Sequence, residues 1–170
     1  MAVMGYKNDE GYNDPTAGEA ISNVIKEQNK LDYMKFYEQF GSYDELREYT
    51  KSRNPKLKTM KQVDKFIADK MPLESYFQTK IKEYIEKKFP DAFVWKAAAG
   101  AYSQAGIPDI CCVIRGRYYG LEVKRPFIGE PTKNQLDTIK KIRAAGGVAD
   151  VVCTIKEAKK VLLPEMESRA

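Results

Sequence analysis

Residues 106–124 read Gly106-Ile107-Pro108-Asp109-Ile110-Cys111-Cys112-Val113-Ile114-Arg115-Gly116-Arg117-Tyr118-Tyr119-Gly120-Leu121-Glu122-Val123-Lys124. After Asp109 the run to Ile114 is wholly apolar, as in a central strand covered on both faces. Arg115-Gly116-Arg117 is a tight turn, and residues 118–124 form the partner strand of a hairpin. Strand side chains alternate between faces, so Glu122 and Lys124 share one face and Leu121 and Val123 the other. Tyr118 and Tyr119 fall on opposite faces, so at least one of them packs in the core. Pro108 removes a backbone donor and bends the entry to the first strand. If the strands pair through the turn, Asp109 and Glu122 come within reach of each other. Two carboxylates that close repel and need a cation between them. Oxygen donors suit Mg²⁺ or Mn²⁺. A lysine beside them positions or deprotonates water, or neutralises charge developing on phosphorus. Taken alone, a Glu-x-Lys strand reads more readily as a salt bridge on an exposed sheet face. The Pro-Asp at hairpin distance is what favours a site.

Working outward, residues 73–89 form a strong helix with Phe77, Ile81, Tyr84 and Ile85 on its buried stripe. Glu74 and Gln78 fall on that stripe. Glu74 also reads as a first-turn acid favoured by the helix dipole. Residues 92–96 are a short strand with Trp95 expected in the core, and 97–106 a small-residue loop. Thr132 and Gln135 make a capping box for a helix carrying Leu136, Ile139 and Ile142, which stops at Gly146-Gly147. A strand at 148–153 and a helix at 155–163 complete an α/β layer architecture. N-terminal to it, residues 1–13 are expected to be a flexible tail and 14–70 a helical region. Asp14-Pro15 opens its first helix, with Ala17, Ala20, Ile21, Val24 and Ile25 at helical spacing. A second spans about 31–40. Ser42 and Glu45 open a third, near 43–50. Residues 51–58, with Asn54-Pro55, read as a linker. Thr59 and Gln62 cap a fourth helix carrying Val63, Phe66 and Ile67. Residues 71–170 form the second domain.

Composition narrows the chemistry. The chain has 170 residues and no histidine, which excludes His-ligated zinc, Ser-His-Asp triads, Cys-His pairs and His-metal nucleases. Three cysteines, Cys111, Cys112 and Cys153, are too few and badly spaced for a disulfide framework, and read as buried thiols of a reducing cytosol. No apolar stretch approaches the roughly 20 residues of a membrane span, and the N-terminus has no signal-peptide h-region. A soluble cytoplasmic protein with no membrane partner is expected. The net charge is +5, and the whole surplus falls in residues 71–170; residues 1–70 carry equal numbers of acids and bases. That asymmetry suits a phosphate-bearing partner for the second domain.

Pro108-Asp109 followed by Glu122-Val123-Lys124 resembles the PD-(D/E)xK nuclease superfamily. More narrowly, residues 73–163 resemble a small, phage-type VRR-NUC domain: opening helix with Glu74 and Gln78, Ala-rich loop, Glu-Val-Lys strand, Thr-x-x-Gln helix, Gly-Gly turn, and last strand and helix. The resemblance implies a restriction-endonuclease-like core, a mixed sheet flanked by helices, here with an all-helical N-terminal extension. It implies that Asp109, Glu122 and the backbone carbonyl of Val123 bind the metal and that Lys124 is the catalytic lysine. It further implies that Glu74 supports the metal, through water if not directly, and that Gln135 lies near the site. The stretch Asp14-Pro15-Thr16-Ala17-Gly18-Glu19-Ala20-Ile21 resembles short helical proteins of phages and prophages, which implies a phage origin and a bacterial host cell.

The expected activity is metal-dependent hydrolysis of DNA, selective for a junction, flap or nick. Water assisted by Lys124 attacks phosphorus in line, and the 3′-oxygen leaves. RNA is not excluded by the residues. Lys96, Arg115, Arg117, Arg125 and Lys133 are candidates for phosphate contacts, and Tyr102 for stacking on a base. The alternative is a nuclease fold that binds DNA or protein without cutting. The neutral, aromatic-rich helical region reads as an oligomer interface, making a homodimer, as a partner-docking surface, or as a cap over the site.

Overall fold

The computed structural model describes residues 32–97 and 106–162. The tail, the helix expected at 17–25, Leu31, Tyr102 with most of its loop, and Leu163 lie outside the described residues. The chain divides into two compact units, 1–33 and 34–170. The boundary expected at residue 70 falls inside the second.

Aromatic, β-branched and sulfur side chains give four strands among the described residues: β1 (Phe93–Lys96), β2 (Ile110–Ile114), β3 (Arg117–Val123) and β4 (Val148–Val152). They form one sheet in the order β1-β2-β3-β4. The first two pairings are antiparallel and β3–β4 is parallel, so the sheet is mixed, as expected. Its hairpin needs only two turn residues. Arg115 (φ 49°) and Gly116 (φ 80°) both take positive φ, which matches the twist of the flanking strands, and Arg117 already pairs with Ile114. Asp109 and Lys124 therefore flank the ladder. The Lys124 N–H still donates to the Val152 carbonyl at 3.0 Å, so the strand course and its alternation run on through the lysine.

Among the described residues there are six helices: α1 (Tyr33–Glu38), α2 (Tyr43–Arg53), α3 (Met60–Lys70), α4 (Glu74–Lys88), α5 (Lys133–Ala144) and α6 (Ile155–Val161). Among the described residues no helix is long and apolar enough to cross a membrane. Phe77, Ile81 and Ile85 of α4 are wholly buried, as are Ile110, Cys112, Tyr119, Leu121 and Val123 of the sheet. Each apolar side chain so buried contributes about 1.5–3 kcal/mol. The exposed pairs along α4, such as Lys80–Glu83 at 2.8 Å, contribute roughly 0–1 kcal/mol each. The apolar stripe, not the ion pairs, seats α4 on the sheet. Helix α5 makes the β3–β4 crossover. It ends in a Schellman turn, with the Gly146 and Gly147 N–H groups donating to the Arg143 and Ile142 carbonyls at 3.1 and 3.0 Å.

Three expectations are corrected. Trp95 is only half-buried, because β1 is a sheet edge with no strand beyond it in the sheet. Leu136 is 41% exposed, so α5 packs through Ile139. Helix α2 runs to Arg53, and the linker shortens, because the Asn54 side chain and N–H cap the carbonyls of Thr50 and Lys51. The capping boxes at Thr59 and Thr132 are present as expected. At Ser42 only half the box forms, since Glu45 accepts from the Gly41 N–H instead.

Two glycines separate conformational cost from crowding. Gly106 has φ 85°, and a Cβ there would lie 2.7 Å from the Asn134 carbonyl oxygen and 2.8 Å from Thr138 Oγ1. Gly116 has φ 80° with nothing within 4 Å. Gly116→Ala should cost about 1–2 kcal/mol, and Gly106→Ala about 2–4 kcal/mol because overlap with α5 adds to strain. Thermal melts of the two variants should differ by roughly 3–8 °C; equal melting points would mean that the Gly106 loop does not press on α5.

Candidate active site

The β2–β3 register pairs Ile110 with Leu121, so the next step outward sets Asp109 across from Glu122. The Val123 N–H donates to Asp109 Oδ2 at 2.9 Å and fixes that carboxylate at the strand end. Val123 thus reaches Asp109 through its amide.

Glu122 is 1% exposed and Lys124 7%. A solvated salt bridge on an open sheet face is therefore ruled out. Lys124 Nζ lies 2.7 Å from Glu122 Oε1 and 3.5 Å from Glu74 Oε1. Glu74, in the first turn of α4, is partly exposed and faces the lysine. Gln135 contributes through its place in the capping box. Its Oε1 accepts from the Thr132 N–H at 2.7 Å, which leaves its amide Nε2 to donate to Glu122 Oε1. Among the described residues Glu122 Oε2 is buried without a hydrogen-bond partner. Among the described residues no three acids or thiols gather; the acids that face each other are a pair.

Burial pushes the Glu122 carboxyl up to about 7 against the opposing pull of Lys124, and Asp109 adds to the rise. For Lys124, burial lowers the pKa, but the Glu122 hydrogen bond and charge outweigh it and the net shift is upward.

The segment after Lys124 closes over it. A Cβ on Gly129 would lie 2.7 Å from the Arg125 N and 2.9 Å from Lys124 Cβ. The turn forces Phe127 to φ 64°, a strained conformation for a bulky side chain. Its ring stacks on Tyr43 of α2, with centroids 6.2 Å apart and planes 21° apart. Arg125 Nη1 reaches the Ala68 carbonyl of α3 at 3.5 Å. Tyr43 is held in turn: its hydroxyl donates to Asp64 at 3.0 Å, and Arg47 binds both Asp64 oxygens at 2.7 and 3.0 Å. None of this bracing announces itself in the sequence. The Asn54-Pro55 break suggests a linker, not helices packed against the site.

The remaining candidates divide by position. Lys96 is exposed at the end of β1, paired with Ile110 next to Asp109, and Lys133 is exposed in the first turn of α5 beside Gln135. Arg115 and Arg117 are exposed at the hairpin tip. Arg117 is five residues from Glu122, about 17 Å along the strand. Cys111 and Cys112 are buried, and all three cysteines are free.

No protein-family model and no curated protein matches the chain. A solved structure described as a VRR_NUC domain is similar to it: 25% identical, covering 50% of this chain and 92% of its own, with a TM-score of 0.41. That is the family which the motifs resemble.

The raised Glu122 pKa sets a pH dependence. Between about 4.5 and about 7 the folded chain holds a proton that the unfolded chain releases, so the metal-free protein should lose stability as pH rises through that window. Melts in EDTA should show the melting point falling from pH 5 to pH 8, and Glu122→Gln should flatten the slope. A slope unchanged in the variant would assign it to another group.

Proposed function

We propose that the chain is a metal-dependent phosphodiesterase acting on DNA. The observation that carries this is the buried Glu122 oxygen with no hydrogen-bond partner, on a carboxylate whose other oxygen meets Lys124 and which stands across from Asp109. A purely structural Glu–Lys pair gains nothing from a desolvated free oxygen, which costs about 1–3 kcal/mol or more.

The donor set fits a hard divalent cation, Mg²⁺ or Mn²⁺, since both donors are carboxylates. Asp109 and Glu122 would hold it, with the Val123 carbonyl as a further oxygen. Bound there, the cation supplies Lewis-acid polarisation of a phosphodiester. The chain's own residues do the rest. The Val123 N–H and the Gln135 amide orient the two carboxylates. Lys124 keeps a positive charge beside the scissile phosphate, or passes a proton to or from water at its Nζ. Glu74 balances the lysine when Glu122 is engaged elsewhere.

Labelled duplex, single-stranded, flap and four-way-junction DNA should be cut with Mg²⁺ or Mn²⁺ and not in EDTA. Asp109→Asn keeps an acceptor for the Val123 N–H. It and Lys124→Ala should each lower the rate by at least about 10²–10³-fold. Cutting that survives EDTA, or persists in Asp109→Asn, would reject the site.

Cation binding is testable without turnover. At about 100 times its dissociation constant a ligand adds about 2.7 kcal/mol of stability. Mn²⁺ should therefore raise the melting point of the wild type by roughly 5–10 °C and leave Asp109→Asn unmoved. An equal rise in both would place the cation elsewhere.

A further inference from the structure

We infer that the Phe93–Trp95 edge of the sheet is a stacking platform for the unpaired bases of a nucleic-acid strand whose phosphates lead to Asp109 and Glu122. The direction of the strand rests on the phosphodiesterase reading; the binding itself does not.

The register puts platform and site on one sheet face. Phe93 pairs with Val113 and Val113 with Tyr118; Trp95 pairs with Cys111 and Cys111 with Gly120. One further two-residue step is the Asp109–Glu122 pair. Strand geometry separates neighbouring steps by about 7 Å and sets Trp95 two strands, about 10 Å, to the side of Glu122. The rings form a continuous tilted row. Phe93 and Trp95 have centroids 5.2 Å apart, and Trp95 and Tyr118 6.2 Å apart. The Tyr118 hydroxyl donates to Cys111 Sγ at 3.1 Å, which pins the inner end of the row. Phe93, at the outer end, is 69% exposed. Aromatic side chains on an open sheet edge invite a partner.

Charge selects which partner. Register turns Lys96 and Arg117 to the opposite face, but Arg115 is exposed in the hairpin turn, where Asp91 is the nearby acid, and Lys133 is exposed in the first turn of α5, whose Gln135 reaches Glu122 at the site end of the row. Flat apolar rings bracketed by cations suit a chain of flat bases linked by phosphates. A blunt duplex keeps its bases stacked inside and offers Phe93 none. The platform therefore favours single strands, flaps and frayed ends over intact duplex.

Trp95 is the sole tryptophan of the chain, so its fluorescence reports the platform directly. The full chain would be titrated in EDTA, where the proposed reaction is silent, with oligothymidylate and with a blunt hairpin duplex of equal phosphate number. Oligothymidylate should quench Trp95 saturably, and more strongly than the duplex. Phe93→Leu keeps apolar bulk without a ring and should weaken oligothymidylate binding about tenfold, whereas Phe93→Tyr should bind as the wild type does. Each variant should melt with the wild type, since Phe93 is exposed. Trp95 emission unmoved while labelled oligothymidylate binds by anisotropy would overturn the inference. So would unchanged affinity in Phe93→Leu, no binding of oligothymidylate at all, or emission that shifts with protein concentration alone, which would mean a second copy covers the edge. A chain that quenches but never cuts would sink the phosphodiesterase reading and leave the platform standing; one that cuts duplex without quenching would do the reverse.

Discussion

Glu122 is a carboxylate kept almost wholly out of water, with one oxygen met by an ammonium and an amide and the other without a hydrogen-bond partner among the described residues. An ionised carboxylate so placed costs several kcal/mol before its partners are counted. The neighbouring structure is organised around that debt. The Lys124 backbone is pinned to Val152, so its side chain returns along the same face as Glu122. The Gln135 amide is presented by a helix cap that would form anyway. The loop after Lys124 folds back to exclude solvent, at the expense of a left-handed phenylalanine.

What the sequence discloses about this arrangement follows from periodicity. Alternation put Glu122 and Lys124 on one face, pairing through the Arg115–Arg117 turn brought Asp109 within reach of Glu122, and the Thr-x-x-Gln spacing set Gln135 in a helix cap, its place near the site coming only from the family resemblance; that Arg117 belongs to the strand and the turn takes two residues is seen in the structure. Each of these is a local rule, and the register of the hairpin brings the residues together. The strands and their flanking helices were legible for the same reason, whereas the mixed sheet was implied by the family resemblance.

Coverage was not legible. Periodicity says which face a residue takes, but not whether another element lies over that face. Trp95 and Leu136 have core-like chemistry and sit where the sheet and α5 run out of neighbours. Lys124 has surface-like chemistry and is buried by a loop whose path depends on Phe127 adopting a conformation that sequence rules assign to glycine. Contacts across residue 70 were not legible either: Phe127 stacks on Tyr43, and Arg125 reaches the Ala68 carbonyl.

The stacked Tyr43–Phe127 pair bears on how the molecule comes apart. Opening the loop over Lys124 means unstacking Phe127 from α2 and drawing Arg125 away from α3, while closing it restores a backbone angle that the loop alone would not keep. Access to the lysine from the side of the loop and integrity of the α2–α3 hairpin are thus two readings of one cooperative unit, and fluctuations that wet the site are as rare as fluctuations that loosen the hairpin. A shortened chain begun after residue 70 would inherit the acids and the lysine without the weight that holds them shut.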